Sequence, residues 1–243
     1  MMIVRDIKVR YKQTVMGVAW AVIQPLTMIA IFTLIFGKLA NIPSDGYPYP
    51  VFVFSGLLAW NFFSSSISSS GVSLITASNL VSKVYFPRII IPISSIGVSM
   101  VDFLISAVLL LIMMIIYSQS ITWSILLLPF FLLGLMTLSI GLGSWLASIT
   151  VVYRDFRYVI AYLVQIWMYM TPVLYPVSFV PEKWRWLVYL NPMHGWINGI
   201  RASFLGQPID IIGVAISLTL SIIICAIGMF YFQRTQRRFA DII

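Results

Sequence analysis

Apolar residues in this chain come in long runs broken by short polar clusters, and the runs have the length of membrane spans. Ahead of the first run, Ile3, Val4, Ile7, Tyr11 and Val15 fall on one helical face, while Arg5, Asp6, Lys8, Arg10 and Lys12 cover the rest. That pattern predicts an amphipathic helix over residues 1–16 lying in the membrane surface. Val18 to Gly37 is long enough to cross, interrupted only by Gln24 and Pro25, and the Pro-, Gly-, Asn- and Ser-rich stretch Lys38 to Pro50 predicts an external loop. A second span starts at Val51 and passes through the serine-rich stretch Ser64 to Ser70. Asn79, Lys83, Pro87 and Arg88 then break the pattern and set a loop over residues 79–92.

The third span is predicted over Ile93 to Tyr117 and carries Asp102. After the polar link Ser118 to Trp123, a fourth runs to Val152, and Tyr153-Arg154-Asp155-Phe156-Arg157 supplies a tight charged turn. The fifth covers Tyr158 to Pro176, with kinks expected at Pro172 and Pro176. Residues 177–208 are too charged to span. They hold two amphipathic pieces, one around Trp184, Leu187 and Val188 and one on Met193, Trp196, Ile197, Ile200 and Phe204, separated by Asn191-Pro192. These predict two short external helices that lie on the outer leaflet or re-enter it, which requires their backbone to be self-bonded or buried in protein. Ile211 to Phe232 is the sixth span, ended by Arg234, Arg237 and Arg238.

Composition agrees: the 243 residues are 60% hydrophobic and 9% charged, with a mean hydropathy of +0.99, too apolar for a water-soluble domain. The expected fold is an all-α integral membrane protein of one domain, 1–243, with no room for a soluble catalytic domain. The net charge of +8 is scattered in small groups between spans, which argues against nucleic acid. Eleven Lys and Arg residues fall at the termini and in the 79–92 and 153–157 segments, against four on the other side, so both termini are expected in the cytoplasm. The first apolar run has spanning length, and no cleavable signal is expected. Cys225 is alone, which excludes a disulfide within the chain and a cysteine-based metal site.

Candidate chemistry is sparse. No phosphate-binding Gly-rich motif occurs, since Gly37-Lys38 lacks both the upstream glycine and the following Ser or Thr, so the chain has no such route to ATP. Asp102 lies roughly 14 Å into the third span, where an ionised side chain costs on the order of 3 kcal/mol. With no second ionisable group at matching depth, an interhelical hydrogen bond fits it better than a proton relay. His194 has no partner at ligand spacing, and no metal site is expected. Ser64 to Ser70 lack a nucleophile-elbow pattern and suit close packing or a wet cavity. The 79–92 loop combines aromatics and cations in Lys83, Tyr85, Phe86, Pro87 and Arg88. These residues either hold topology or contact a partner protein. Trp20, Trp60, Trp123, Trp184 and Trp186 sit near span ends as interfacial anchors would. Trp60 and Phe62 on the second span, with Trp167, Tyr169 and Tyr175 on the fifth, are either belt residues or part of a channel lining or its outer gate.

Several stretches resemble the membrane subunits of type 2 ABC exporters for O-antigen, capsule and teichoic-acid polymers. They are Arg5-Asp6-Ile7-Lys8-Val9-Arg10-Tyr11-Lys12-Gln13-Thr14 with Gly17, Trp20 and Pro25, then Tyr153-Arg154-Asp155, the run from Leu163 to Pro176, and Leu190-Asn191-Pro192-Met193. That family usually carries further residues before the Arg-Asp pair, so a shortened surface helix is expected. The resemblance implies a homodimer enclosing a channel, two copies of an ATP-binding cassette subunit holding ATP and Mg, and the 79–92 segment as the coupling element. The cargo it implies is a lipid-linked polysaccharide crossing the bacterial cytoplasmic (inner) membrane. This chain would bind no cofactor and catalyse no reaction. Two rivals are a type 2 exporter of a small drug or lipid and an intramembrane transferase, the latter needing paired acid/base groups at one depth.

Overall fold

The protein is represented by a computed structural model that describes residues 19–83 and 86–239, and every regular element among them is helical. Helix α1 covers Ala19–Phe32 and continues as a π-helix over Thr33–Leu39. Next come α2 (Tyr49–Thr76), the short α3 (Ser78–Lys83), α4 (Ile90–Ile116) and α5 (Leu128–Val152), the last entered by a 3₁₀ turn over Trp123–Leu127. Then follow α6 (Phe156–Met170), α7 (Glu182–Tyr189), α8 (Met193–Leu205) and α9 (Ile211–Thr235). Among the described residues five segments are long and apolar enough to cross a membrane: Val22–Leu39, α2, α4, Trp123–Val152 and α9. The predicted surface helix over residues 1–16 lies outside the described residues.

The serine-rich α2 is the centre of the bundle, packing on α1, α4, α5, α6 and α8, with Phe52, Phe54, Leu58, Phe63 and Ile67 wholly buried. More uniformly apolar helices sit outside it; α1 and α9 leave most of their surface uncovered. This is the order expected when lipid is the solvent, because apolar surface gains nothing from leaving lipid, whereas small and polar residues gain by packing and hydrogen bonding. The closest helix pair is α5 with α9. A Cβ at Gly228 would stand 2.1 Å from the Gly141 carbonyl oxygen, so the two backbones touch where neither residue has a side chain.

The predicted fifth span over Tyr158 to Pro176 is helical only as far as Met170. Its helix has 15 residues, about 22 Å at the helical rise, short of the roughly 30 Å of a hydrocarbon core. Pro172 is the cause: a proline disfavours helical backbone in the residue before it, and Thr171 is extended with φ −103° and ψ 138°. The chain nevertheless keeps going along α2. Ile160 approaches Gly71, Trp167 meets Phe63, Val173 lies against Gly56, and the Tyr49 hydroxyl donates to the Leu174 carbonyl at 2.9 Å.

Both short helices predicted in the 177–208 segment are present as α7 and α8, but α8 is not a surface element. Twelve of its 13 residues are buried, and it packs on α2, α5 and α9. Its Trp196 indole donates to Ser221 Oγ at 2.9 Å, ten residues along α9 from Ile211.

A second, smaller core closes the opposite end of the molecule, built from Leu74, Val81, Ile91, Ala147, Val151, Phe232 and Phe239. The ends of α2, α5 and α9 meet the start of α4 there. The 153–157 turn and the basic residues from Arg234 onward therefore share one end with the loop that carries Arg88.

Candidate functional site

Helix α2 leaves one stripe open. Asn61 is exposed and Ser64, Ser65, Ser68 and Ser69 are half-buried, at a spacing that places them on one face. The neighbouring rows are occupied, on one side by α6 and the segment after it at Phe63, Gly71 and Gly56, and on the other by α4 at Phe62. The stripe is thus the floor of a groove. Where α1 and α4 meet it, the groove deepens into a cavity of about 240 Å³ whose polar lining includes Gln24, Asn61, Ser64, Ser65, Ser68, Asp102 and Ser106. Three spans contribute polar side chains to one place, although each run is otherwise apolar. Ser99 Oγ donates to Ser65 Oγ at 3.1 Å at its edge. This cavity carries hydroxyl and amide groups with one carboxylate and no cation among its lining residues, a surface that can hydrogen-bond many hydroxyls weakly but builds no catalytic pair.

The aromatic candidates separate. Phe62 lines this cavity with its ring edge-on to Phe103 at 5.8 Å, although only 2% of it is exposed. Trp60 is a core residue, 3% exposed and packed on Phe63. Trp167 is a structural post: its ring stands edge-on to Phe63 at 5.2 Å, and its indole N–H donates to Asn191 Oδ1 at 3.0 Å. The Asn191 amide donates in turn to Thr171 Oγ1, and its Oδ1 also accepts the Met193 N–H, which locks the end of α6 to the start of α8. Tyr175 is half-buried against Phe179. Tyr169 is exposed and belongs to a stripe with Tyr158, Tyr162 and Gln165 on one face of α6, all four open. Tyr158, Tyr162 and Gln165 were not singled out from the sequence, though their spacing of i, i+4 and i+7 was there to be read.

Of the loop candidates, Lys83 closes α3 and Tyr85 lies outside the described residues, as do Arg5, Lys8, Arg10, Tyr11 and Lys12. Phe86 packs on the small core, Pro87 is exposed, and the Arg88 guanidinium donates to the Gln236 carbonyl beyond α9. The loop is therefore fastened to the chain's last helix.

At the far end, Arg201 was missed. It is 4% exposed, donates to the carbonyls of Val173 at 2.9 Å and Pro172 at 3.4 Å, and lies over the Phe52 ring at 3.9 Å. A Cβ on Gly56 would come within 2.6 Å of this guanidinium, so only glycine leaves it room. Nearby, Asp210 caps α9, its Oδ1 accepting the Gly213 N–H at 3.0 Å and its Oδ2 facing His194 Nε2 at 3.3 Å. Burial holds the His194 imidazole below its ordinary pKa, an effect that the hydrogen bond to Asp210 opposes without reversing. Partial burial raises the Asp210 carboxyl, but the Gly213 N–H, Tyr189 and His194 together bring it below the usual carboxylate range. Among the described residues no group of three or more His, Cys, Asp or Glu residues could hold a metal ion.

Comparison with known proteins places this architecture. The chain is 28% identical over 243 residues to the O-antigen export system permease protein RfbA of Klebsiella pneumoniae, covering 98% of this chain and 92% of that protein. It is 31% identical to the O-antigen export system permease protein RfbA of Myxococcus xanthus, over 82% of this chain and 77% of the relative. The polysialic acid transport protein KpsM of Escherichia coli is 25% identical, over 78% of this chain and 74% of that protein. A family model described as ABC-2 type transporter matches residues 1–205, and the chain belongs to that family.

Proposed function

We propose that this chain is the membrane subunit of an exporter that carries a lipid-linked polysaccharide across a bacterial cytoplasmic membrane, as a homodimer served by two copies of a separate ATP-binding subunit. Relatives named for O-antigen export and polysialic acid transport support the cargo class. The structural observation that carries the reading is the polar groove on α2. A polymer that slides must be held weakly at many points, and a row of hydroxyl and amide groups does that without one tight site. The open Tyr158, Tyr162 and Tyr169 on α6 add faces suited to the C–H surfaces of sugar rings. Trp60 and Trp167 hold the wall in place behind them, and Tyr175 stands at its outer end.

In this reading α6 and the extended Thr171–Tyr175 segment together make the fifth of six crossings. Backbone without helical hydrogen bonds is tolerable at that depth because Arg201 and Tyr49 take its carbonyls. Helix α8 re-enters the outer half of the bundle, and α7, with its exposed Trp184 and Trp186, lies at the outer interface. The basic end faces the cytoplasm. There α3 and the loop of Lys83, Tyr85, Phe86, Pro87 and Arg88 receive the ATPase, which holds the ATP and Mg. Because that loop is fastened to the end of α9, a push on it moves α2, α4 and α9 together.

The test is to express the chain with its ATP-binding partner in a strain whose own polysaccharide permease has been deleted. Surface polymer should return, and it should vanish when the partner's phosphate-binding lysine is replaced. Polymer retained in the cytoplasm while the complex assembles, with efflux of a small drug or lipid instead, would refute the cargo.

A further inference from the structure

We propose that the cavity between the end of α6 and α8, on the side of the molecule away from the basic loops, binds a phosphate group in its protonated, monoester-like form. This site is separate from the groove on α2, and its test reads ligand binding rather than transport. The cavity measures about 350 Å³, with Arg201, His194, Asn198, Gln207, Ser178 and Asp45 as its polar lining.

Arg201 calls for an anion. Its guanidinium is buried, and its hydrogen bonds and ring contact are all to neutral groups, two backbone carbonyls and the face of Phe52. Asp45 acts on it through space from the exposed rim, and among the described residues no carboxylate lies within ion-pair distance of it. A buried cation whose one acidic neighbour is distant and screened by water is costly, and the carbonyls at the broken end of α6 offset only part of that cost. Its Nε–H also has no hydrogen-bond partner among the described residues, and neither does Gln207 Nε2. Two side chains with buried N–H groups that lack acceptors among the described residues therefore line one cavity, together with Asn198 and Ser178. Charge-assisted donation from guanidinium and amide groups to an oxyanion satisfies both orphaned donors and supplies the missing charge.

His194 then selects among oxyanions. Its Nε2 faces the Asp210 carboxylate, so the ring proton sits there and Nδ1 is left as an acceptor, buried and without a partner among the described residues. An acceptor inside an anion site requires a ligand that brings a hydrogen of its own. Hydrogen phosphate carries a P–OH at neutral pH, and a phosphomonoester carries one in its monoanionic form; sulfate and carboxylates carry none. The one acidic side chain on the lining, Asp45, is at the exposed rim with its Oδ1 accepting from Ser178 at 2.9 Å, where water screens its repulsion.

The experiment is thermal unfolding of the purified full chain in detergent, read by tryptophan fluorescence. Potassium phosphate is titrated against potassium sulfate at matched ionic strength, and dihexanoyl phosphatidic acid against dihexanoyl phosphatidylcholine. Phosphate should raise the midpoint saturably and sulfate should not. Gln207→Leu changes a half-buried loop residue whose amide nitrogen no protein group uses, so it should fold normally and weaken phosphate by about tenfold or more. His194→Gln, which replaces the acceptor by a group able to donate, should narrow the preference for phosphate over sulfate. Tighter binding of phosphatidic acid than of inorganic phosphate identifies a lipid headgroup as the source, and equal or weaker binding identifies free phosphate. Equal shifts with phosphate and sulfate, no saturable shift, or wild-type affinity in Gln207→Leu would each overturn the site.

Discussion

His194, 1% exposed and wedged between the Tyr189 ring and Asp210, makes the end away from the basic loops sensitive to acid. Its folded pKa lies below the ordinary value because burial disfavours the charged imidazole. The unfolded chain therefore takes up a proton first, and the stability His194 contributes is complete above the unfolded pKa of about 6.5 and is lost as pH falls toward the folded value. Thermal melts in detergent should show a lower midpoint at pH 5.5 than at 7.5, and His194→Gln should flatten that difference; an unchanged pH dependence in the variant would place it elsewhere. At this scale the sequence was readable only in part. Asp102, the serine stretch and Gln24 stood out as polar positions in apolar runs, and Asp102, Gln24 and three of the serines, Ser64, Ser65 and Ser68, reach one cavity. Arg201 did not stand out, because among external cations it resembled any other. Its burial depends on carbonyls 28 and 29 positions earlier that are freed by a proline, and no local pattern encodes that.

Among the elements, the long apolar runs gave α1, α2, α4, α5 and α9 directly, since spanning length is a strong signal. At α6 the apolar run continues past the proline that ends the helix, where a kink was expected. For α8 the sequence left open whether it lies on the membrane or is buried in protein, and the described residues bury it. Its apolar face was visible in Met193, Trp196, Ile197, Ile200 and Phe204, but its other face carries Gly195, Gly199 and Ala202, small enough for neighbours to close over it. Periodicity alone cannot separate a small face from a solvated one. The same small-residue logic governs α5 and α9 and can be tested there. Gly228→Val forces a side chain onto the Gly141 backbone, so the helices must part. The expected cost is about 1–3 kcal/mol, in the range of overpacked cores, read as a lower unfolding midpoint and less folded protein in the membrane. A variant as stable as the parent would show that this contact does not hold the two helices.

For the whole molecule, the described basic residues of the 79–92 and 153–157 segments and of the C-terminal tail collect at one end around the small core, as the charge count along the chain anticipated. What the count could not give is which surfaces face one another. Helix rotation was undetermined from one sequence, so Trp60 and Trp167 stood equal with Tyr169 as lining candidates, whereas packing sets both against Phe63 and leaves Tyr169 open. The groove itself follows from which rows of α2 are occupied and which is left open. The central claim, that a polysaccharide moves along this groove, is tested most directly by surface polymer measured per unit of membrane-inserted protein, in cells carrying the parent chain or the variant Asn61→Leu with Ser68→Leu. Both side chains line the groove and neither is wholly buried, so the substitutions remove hydroxyl-binding groups without disturbing the core. The account predicts that export falls to a small fraction of the parent while insertion and ATPase assembly persist; parental export from the variant would contradict it.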